Sequence, residues 1–274
     1  MYSLFKCILM DRLVTLLLTS TVSISLLSCA SLAESNTSNS QKRTNLSLQK
    51  QIIVGAEQIQ YYLPMLKKKR VGLVVNQTSV VGNRHLVDTL IANNINVQAI
   101  FAPEHGFRGN YDAGEKFNSS IDLKTGVPLI SIYGKNRKPP SDTLANLDVI
   151  VFDIQDVGVR FYTYISSMHY MMEAAADAGI TFIVLDRPNP NGAFVDGPIL
   201  EPEFSSFIGM HKIPLIHGMT VGELALMFKG EQWLKTQLKP QKTLDLKVVS
   251  LKSYRRSMPY SLPIKPSPNL PNDT

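Results

Sequence analysis

Residues 97–116 read Val-Gln-Ala-Ile-Phe-Ala-Pro-Glu-His-Gly-Phe-Arg-Gly-Asn-Tyr-Asp-Ala-Gly-Glu-Lys, a largely apolar run that breaks off into acids, a histidine, an arginine and three glycines. The run at 97–101 has the character of a buried strand. Pro103 stops it and biases Ala102 away from the helical region. Glu104 and His105 therefore emerge just past a strand's carboxyl end. Gly106, Gly109 and Gly114 let the backbone turn tightly or approach a ligand closely there. A plain polar surface loop is the alternative reading, but ordinary loops rarely gather two acids, a histidine and an arginine in so few positions.

Outward from this stretch the chain alternates. Residues 71–76, 128–133, 149–153, 181–185 and 244–251 are short apolar runs of the kind that form buried strands. Between them, Leu86, Val87, Leu90 and Ile91 recur at helical spacing, and Ser141 is a candidate helix N-cap. Phe161, Tyr164, Ile165, Met168, Met172, Ala175 and Ala176 trace one face of a helix that Gly179 caps. Thr220 and Glu223 have the capping-box spacing, with Val221, Leu224, Ala225 and Phe228 on one face behind them. Strands alternating with amphipathic helices predict an α/β fold, a mostly parallel sheet with helices on both faces.

Polar residues collect where the strands end. Asn76 and Gln77 follow the first; Glu104 and His105 the second; Asp153, Gln155 and Asp156 the strand before Arg160; Asp186, Arg187, Asn189 and Asn191 the next. In open α/β sheets ligands bind outside the carboxyl ends of the strands, so these loops are expected to line one cleft. Each residue also has a structural reading. Asp153 can cap a turn, Arg187 can pair with an acid, and Tyr162 or Tyr164 can fill core.

The chemistry that fits best is hydrolysis by paired carboxylates, drawn from Glu104, Glu115, Asp153, Asp156 and Asp186, which a cleft can push to different pKa values. No Gly-x-Ser-x-Gly elbow, Gly-x-Gly-x-x-Gly or P-loop is present. The five histidines lack the close two-His spacing of zinc enzymes, so no metal is expected. Glu223 is read as a cap rather than a catalyst.

Before residue 51 the chain is of a different kind. Lys6 and Arg12 precede an apolar segment at 13–27 that ends in Leu-Leu-Ser-Cys, which resembles the lipobox of bacterial lipoproteins. Residues 1–28 are read as a signal peptide, Cys29 as the lipidated residue, and 29–50, rich in Ser, Asn, Thr, Gln and Lys, as a disordered tether. The expected destination is the cell envelope. Cys7, the other of two cysteines, lies in the part removed, so neither a disulfide nor a Cys-based metal site is expected. A net charge of +6, with basic residues scattered as well as clustered at 67–70, does not imply nucleic acid.

Five ordered motifs carry a family resemblance. They are Pro-Glu-His-Gly-Phe-Arg-Gly at 103–109, Asp-Ala-Gly-Glu-Lys at 112–116, Phe-Asp-Ile-Gln-Asp-Val-Gly-Val-Arg-Phe-Tyr-Thr-Tyr at 152–164, Leu-Asp-Arg-Pro-Asn-Pro at 185–190, and His-Gly-Met-Thr-Val-Gly-Glu-Leu at 217–224. From about residue 52 to 271 the chain resembles the bacterial exo-acting β-N-acetylmuramidases, a family of peptidoglycan glycosidases. The resemblance implies release of terminal N-acetylmuramic acid from cell-wall glycan fragments, in a cleft between a Rossmann-like subdomain and a C-terminal one, with no cofactor. It also implies a catalytic role for Glu104. His105, Arg108, Gln155, Arg160, Tyr162 and Asn189, with Asp153, match motif positions. They are candidate substrate contacts together with Glu115 and Asp186, while Asp153 and Asp156 are candidates for the second carboxylate.

Residues 51–240 are accordingly expected to form the Rossmann-like catalytic subdomain. Residues 241–274 are expected to begin a second subdomain that is largely missing, which predicts weak activity for this chain. The rival reading is a non-catalytic envelope lipoprotein that binds muramyl sugars.

Overall fold

A computed structural model describes residues 51–109, 120–236 and 244–267. Cys29 and Glu115 lie outside the described residues. The elements in order are α1 (Ile59–Leu66), β1 (Arg70–Val75), β2 (Val80–Val81), β3 (Arg84–His85), α2 (Leu86–Ala92), β4 (Asn96–Ala102), β5 (Ser120–Ile121), β6 (Pro128–Ser131), α3 (Ser141–Leu144), β7 (Val149–Asp153), α4 (Tyr164–Ala178), β8 (Thr181–Leu185), α5 (Val221–Gly230) and β9 (Leu246–Val249).

Seven strands form one sheet in the order β5-β6-β4-β1-β7-β8-β9. Every pairing is parallel except that of β5 with β6. Leaving out β5, the parallel strands run third, second, first, fourth, fifth, sixth, the doubly wound order whose direction reverses between the first and fourth. That switch point lies between β1 and β7. A two-strand ribbon, β2 with β3, stands apart from the sheet.

Each face of the sheet has its own core. Ile150 and Phe152 of β7 and Phe182 and Val184 of β8 pack with α4 and α5 residues such as Met168, Met172, Leu224 and Phe228. The alternate residues, Val149, Val151, Ile183 and Leu185, pack on the opposite face with Tyr62, Leu66, Leu86 and Leu90 of α1 and α2. Side chains of a strand alternate between faces, so burial on both produces the continuous apolar runs seen in the sequence. In β4 the alternation slips once. Val71 pairs with Val97 but Gly72 with Ala99, so Gln98 is an extra residue. This bulge puts Val97 and Ile100 in one core and Ala99 and Phe101 in the other.

Two expectations are corrected. Phe161 precedes α4 and is 54% exposed, so the helical face begins at Tyr164. Pro140, one residue earlier than expected, is the N-cap of α3. Leu246–Val249 pairs in parallel with β8 as the edge strand of the same sheet. The sheet edge would otherwise leave β8 unpaired on that side. Gly179 ends α4 in the left-handed conformation, at φ 68°, as expected.

Candidate active site at the carboxyl ends of the strands

Much of the polar sequence at the strand ends first serves to knit those ends together. Asn76 follows β1 with no exposure, and its Oδ1 accepts from the Thr78 backbone N–H and hydroxyl at 2.9 and 2.6 Å. The Thr78 hydroxyl oxygen accepts from the Gln155 N–H at 3.0 Å, and the Ser79 hydroxyl donates to the Asp153 carbonyl. Thus β1 and β7 are laced across the switch point. Arg187, past β8, then donates to both carboxylate oxygens of Asp153 at 2.6 and 2.9 Å and to the Val80 carbonyl at 3.1 Å. Burial pushes the Asp153 carboxyl up, an effect the guanidinium opposes, while Arg187 is held above its usual value by that same carboxylate.

Glu104 is treated differently by the fold. It is half-buried just beyond β4, and its Oε1 accepts from the Tyr133 hydroxyl at 2.9 Å. Its backbone carbonyl accepts from the Tyr164 hydroxyl at 3.3 Å, and Tyr164 meets Tyr162 edge-on at 4.9 Å. Burial, then Tyr164, Asp156 and Glu104, push the Tyr162 phenol well above its ordinary value, so it remains a donor. It donates to the Pro266 carbonyl at 2.7 Å. His105, at φ 67°, is buried with its Nε2 3.1 Å from the Ser267 hydroxyl. The Gln77 amide donates to the Lys265 and Pro266 carbonyls at 3.1 and 3.0 Å. Residues 265–267 therefore bridge the loops that follow β1, β4 and β7.

Asp156 carries two features of note. Its Oδ2 accepts from the Gly158 N–H at 2.8 Å and lies 3.5 Å from His217 Nε2. Its Oδ1 is buried with no hydrogen-bond partner among the described residues. His217 Nδ1 accepts the Met219 N–H at 3.2 Å, which leaves the ring proton on Nε2, toward Asp156.

The remaining expected site residues are committed to protein partners. Gln155 donates to the Asp156 and Pro188 carbonyls, both at 2.7 Å. Asn189 donates to the Met219 carbonyl at 2.9 Å and accepts from the Asn191 N–H at 2.8 Å. Asp186 anchors the start of α5, accepting from the Gly222 N–H at 2.8 Å and the Thr220 hydroxyl at 2.9 Å. Burial pushes its carboxyl up to about 6. Arg160 donates to the Pro198 and Ile213 carbonyls, and Arg108 to Asp88 and Asp122 while stacking on Phe107.

Of the described carboxylates in the expected set, Asp153, Asp156 and Asp186 are exposed by 0%, 4% and 5%, so Glu104 is the one that solvent reaches appreciably. Tyr133, His217 and Ser267 were not singled out from the sequence. Tyr133 carried a usable signal, a polar-tipped aromatic ending a strand. Among the described residues, no group of three His, Cys, Asp or Glu is arranged to hold a metal ion.

A family model described as "Exo-beta-N-acetylmuramidase NamZ, N-terminal" matches residues 71–274. The peptidoglycan beta-N-acetylmuramidase NamZ of Bacillus subtilis (strain 168) is 50% identical over 217 residues, covering 77% of this chain and 50% of the relative. Two crystal structures of DUF1343 family proteins from Bacteroides fragilis NCTC 9343 also match. One has a TM-score of 0.72 at 49% identity, covering 81% of this chain and 58% of that one. The other has a TM-score of 0.69 at 43% identity, covering 76% and 52%. The chain thus spans about half the length of the curated relative it matches.

Proposed function

Because the chain belongs to the family of exo-β-N-acetylmuramidase N-terminal domains, we propose that it is the Glu104-bearing part of a glycoside hydrolase that removes terminal N-acetylmuramic acid from peptidoglycan fragments. The observation that carries this reading is the position of Glu104, reachable by solvent at the carboxyl end of β4 and held by the Tyr133 hydroxyl at 2.9 Å.

Hydrolysis breaks the bond between the anomeric carbon and the glycosidic oxygen, adds the hydroxyl of water to that carbon and returns a proton to the leaving oxygen. In this reading Glu104 moves the proton. Asp156, whose charge bears on the same Tyr162 phenol and whose Oδ1 has no partner among the described residues, is the second carboxylate. Asp153 acts as a positioning residue through its ion pair with Arg187. His105 and Gln77 shape the wall by holding residues 265–267.

The test is turnover of a chromogenic β-N-acetylmuramide. In a longer version that supplies the second subdomain, Glu104→Gln keeps the shape but cannot exchange a proton, and is expected to lower the rate on the order of 10²- to 10⁴-fold. Equal rates would remove Glu104 from the chemistry. A longer version with the second subdomain that binds the muramide without cleaving it would replace hydrolysis with binding. We also propose that Cys29 carries a lipid that holds the protein to the envelope membrane. Cys29→Ser should then leave the membrane fraction, and retention there would refute the anchor.

A further inference from the structure

The loop that follows β6 leaves the sheet beside Glu104. β6 pairs in parallel with β4, with Ser131 opposite Ala102, so the chain past both strands emerges at the same edge. Tyr133 of this loop is the residue whose hydroxyl donates to Glu104 Oε1 at 2.9 Å. Four residues on, the guanidinium carbon of Arg137 lies 4.0 Å from the centroid of the Phe207 ring. Phe207 stacks in turn on Tyr170 of α4, with centroids 6.1 Å apart. The arginine is therefore held by its flat face, which leaves the N–H edge of the guanidinium open to a planar acceptor.

The charge of Arg137 is felt at the Glu104 contact. Burial raises the Tyr133 phenol above its ordinary value and Glu104 adds to the rise, while Arg137 pulls against both. Other cations that follow the strands have partners within the protein. Arg108 donates to Asp88 and Asp122, Arg160 to the Pro198 and Ile213 carbonyls, and Arg187 to Asp153. Lys138 is shared between Glu173 and Asp177. Arg137 is exposed and, among the described residues, makes no hydrogen bond or ion pair. A guanidinium oriented by an aromatic ring and not neutralised by an acid suits an anionic ligand.

Given the muramidase reading of this site, on which the step rests, we propose that Arg137 determines specificity by binding the lactyl carboxylate of a terminal N-acetylmuramic acid. N-acetylmuramic acid is N-acetylglucosamine carrying a lactyl ether, so this carboxylate is the one charge that tells the two sugars apart. A carboxylate takes two parallel N–H bonds from a guanidinium, which a hydroxyl in its place cannot do. Glu104, itself a carboxylate, would repel that group, and a cation on the same edge of the sheet offsets the repulsion. Phe207 contributes by fixing the guanidinium before the sugar arrives.

Binding of N-acetylmuramic acid and of its methyl ester, measured by calorimetry on a longer version that supplies the second subdomain, tests this without turnover. The ester keeps the ring and loses the charge. The wild type should bind the acid about 10-fold more tightly than the ester, the scale of one hydrogen bond to a charged group. Arg137→Ala, a change at an exposed position, should melt with the wild type and bind the two alike. Arg137→Lys keeps the charge without the fork and should fall between. Lys135→Ala removes a neighbouring exposed charge from the same loop and should keep the wild-type ratio. No binding of the acid, equal binding of acid and ester by the wild type, a preference that Arg137→Ala retains, or one that Lys135→Ala abolishes equally, would overturn the proposal. Turnover is read separately: equal rates for the wild type and Glu104→Gln would remove the hydrolytic role of Glu104 and leave the binding ratio standing.

Discussion

Arg187 closes on both carboxylate oxygens of Asp153, Nε at 2.6 Å from Oδ1 and Nη2 at 2.9 Å from Oδ2, and neither side chain meets solvent appreciably. Removing one partner of such a pair strands the other charge, at a cost of about 3–5 kcal/mol. Asp153→Asn should therefore lower the melting temperature by roughly 6–20 °C, given about 2–4 °C per kcal/mol for a unit of this size. Arg187→Lys should also destabilise, because an ammonium cannot span both oxygens. A melting temperature unchanged in both would show that the pair holds nothing.

Glu104 should behave in the opposite way. Glu104→Gln is expected to melt with the wild type while losing the catalytic rate. Tyr133→Phe removes the hydroxyl on Oε1, a bond to a charged group worth about 1.5–3 kcal/mol, and so should cost turnover about 10- to 100-fold. A rate for Tyr133→Phe equal to the wild type would mean that this contact orients nothing.

The Asp186 carboxyl is raised by burial to about 6, from 3.8. Between these values the folded state binds more protons than the unfolded one, so this group's contribution to stability is largest at low pH and falls as pH rises through about 4 to 6. The fall is on the order of 3 kcal/mol. His85 and His211, pushed down by burial to about 4 and about 3, act with the opposite sign in overlapping windows. The diagnostic is thus a difference. Urea midpoints at pH 4 and 6.5 should separate wild type from Asp186→Asn more at pH 4, in favour of the wild type, than at pH 6.5. A gap that does not change with pH would refute the assignment.

Gly158 sits at φ 82°, and a Cβ there would lie 2.2 Å from Asn189 Oδ1. Gly158→Ala is expected to displace Asn189 or the turn that binds Asp156, destabilising the protein by about 1–3 kcal/mol. Urea unfolding checks this. Wild-type stability would mean that the turn relaxes without loss.

The features legible in the sequence were those set by neighbours along the chain. β7 and β8 read as strands because both faces are buried. The box on α5 read as a cap because Thr220 and Glu223 satisfy one another's N–H groups at 3.2 and 2.9 Å. Which polar residues bind substrate and which bind protein was not legible, because the deciding partners are distant. Asp186 is committed by Gly222, 36 residues on, Gln155 by Pro188, 33 on, and His169 by His211, 42 on. Phe161 fitted the helical period without being helical, since Tyr162 and Thr163 separate it from the first residue of α4. The position of Glu104 just past β4 was legible because Pro103 ends that strand's apolar run.

The bridge made by residues 265–267 has a consequence for synthesis on the ribosome. Gln77 and Pro266 are 189 residues apart, and Tyr162 and Pro266 are 104 apart. At about 5–20 residues per second, Pro266 is added roughly 10–40 s after Gln77. The central strands β1, β4 and β7 have all been made well before then, whereas the wall joining Gln77, His105 and Tyr162 cannot close until residues 265–267 have been made. A nascent chain arrested after β9 should already resist protease across the sheet while leaving those three residues unclamped. This face of the sheet thus closes later than the strands that carry it.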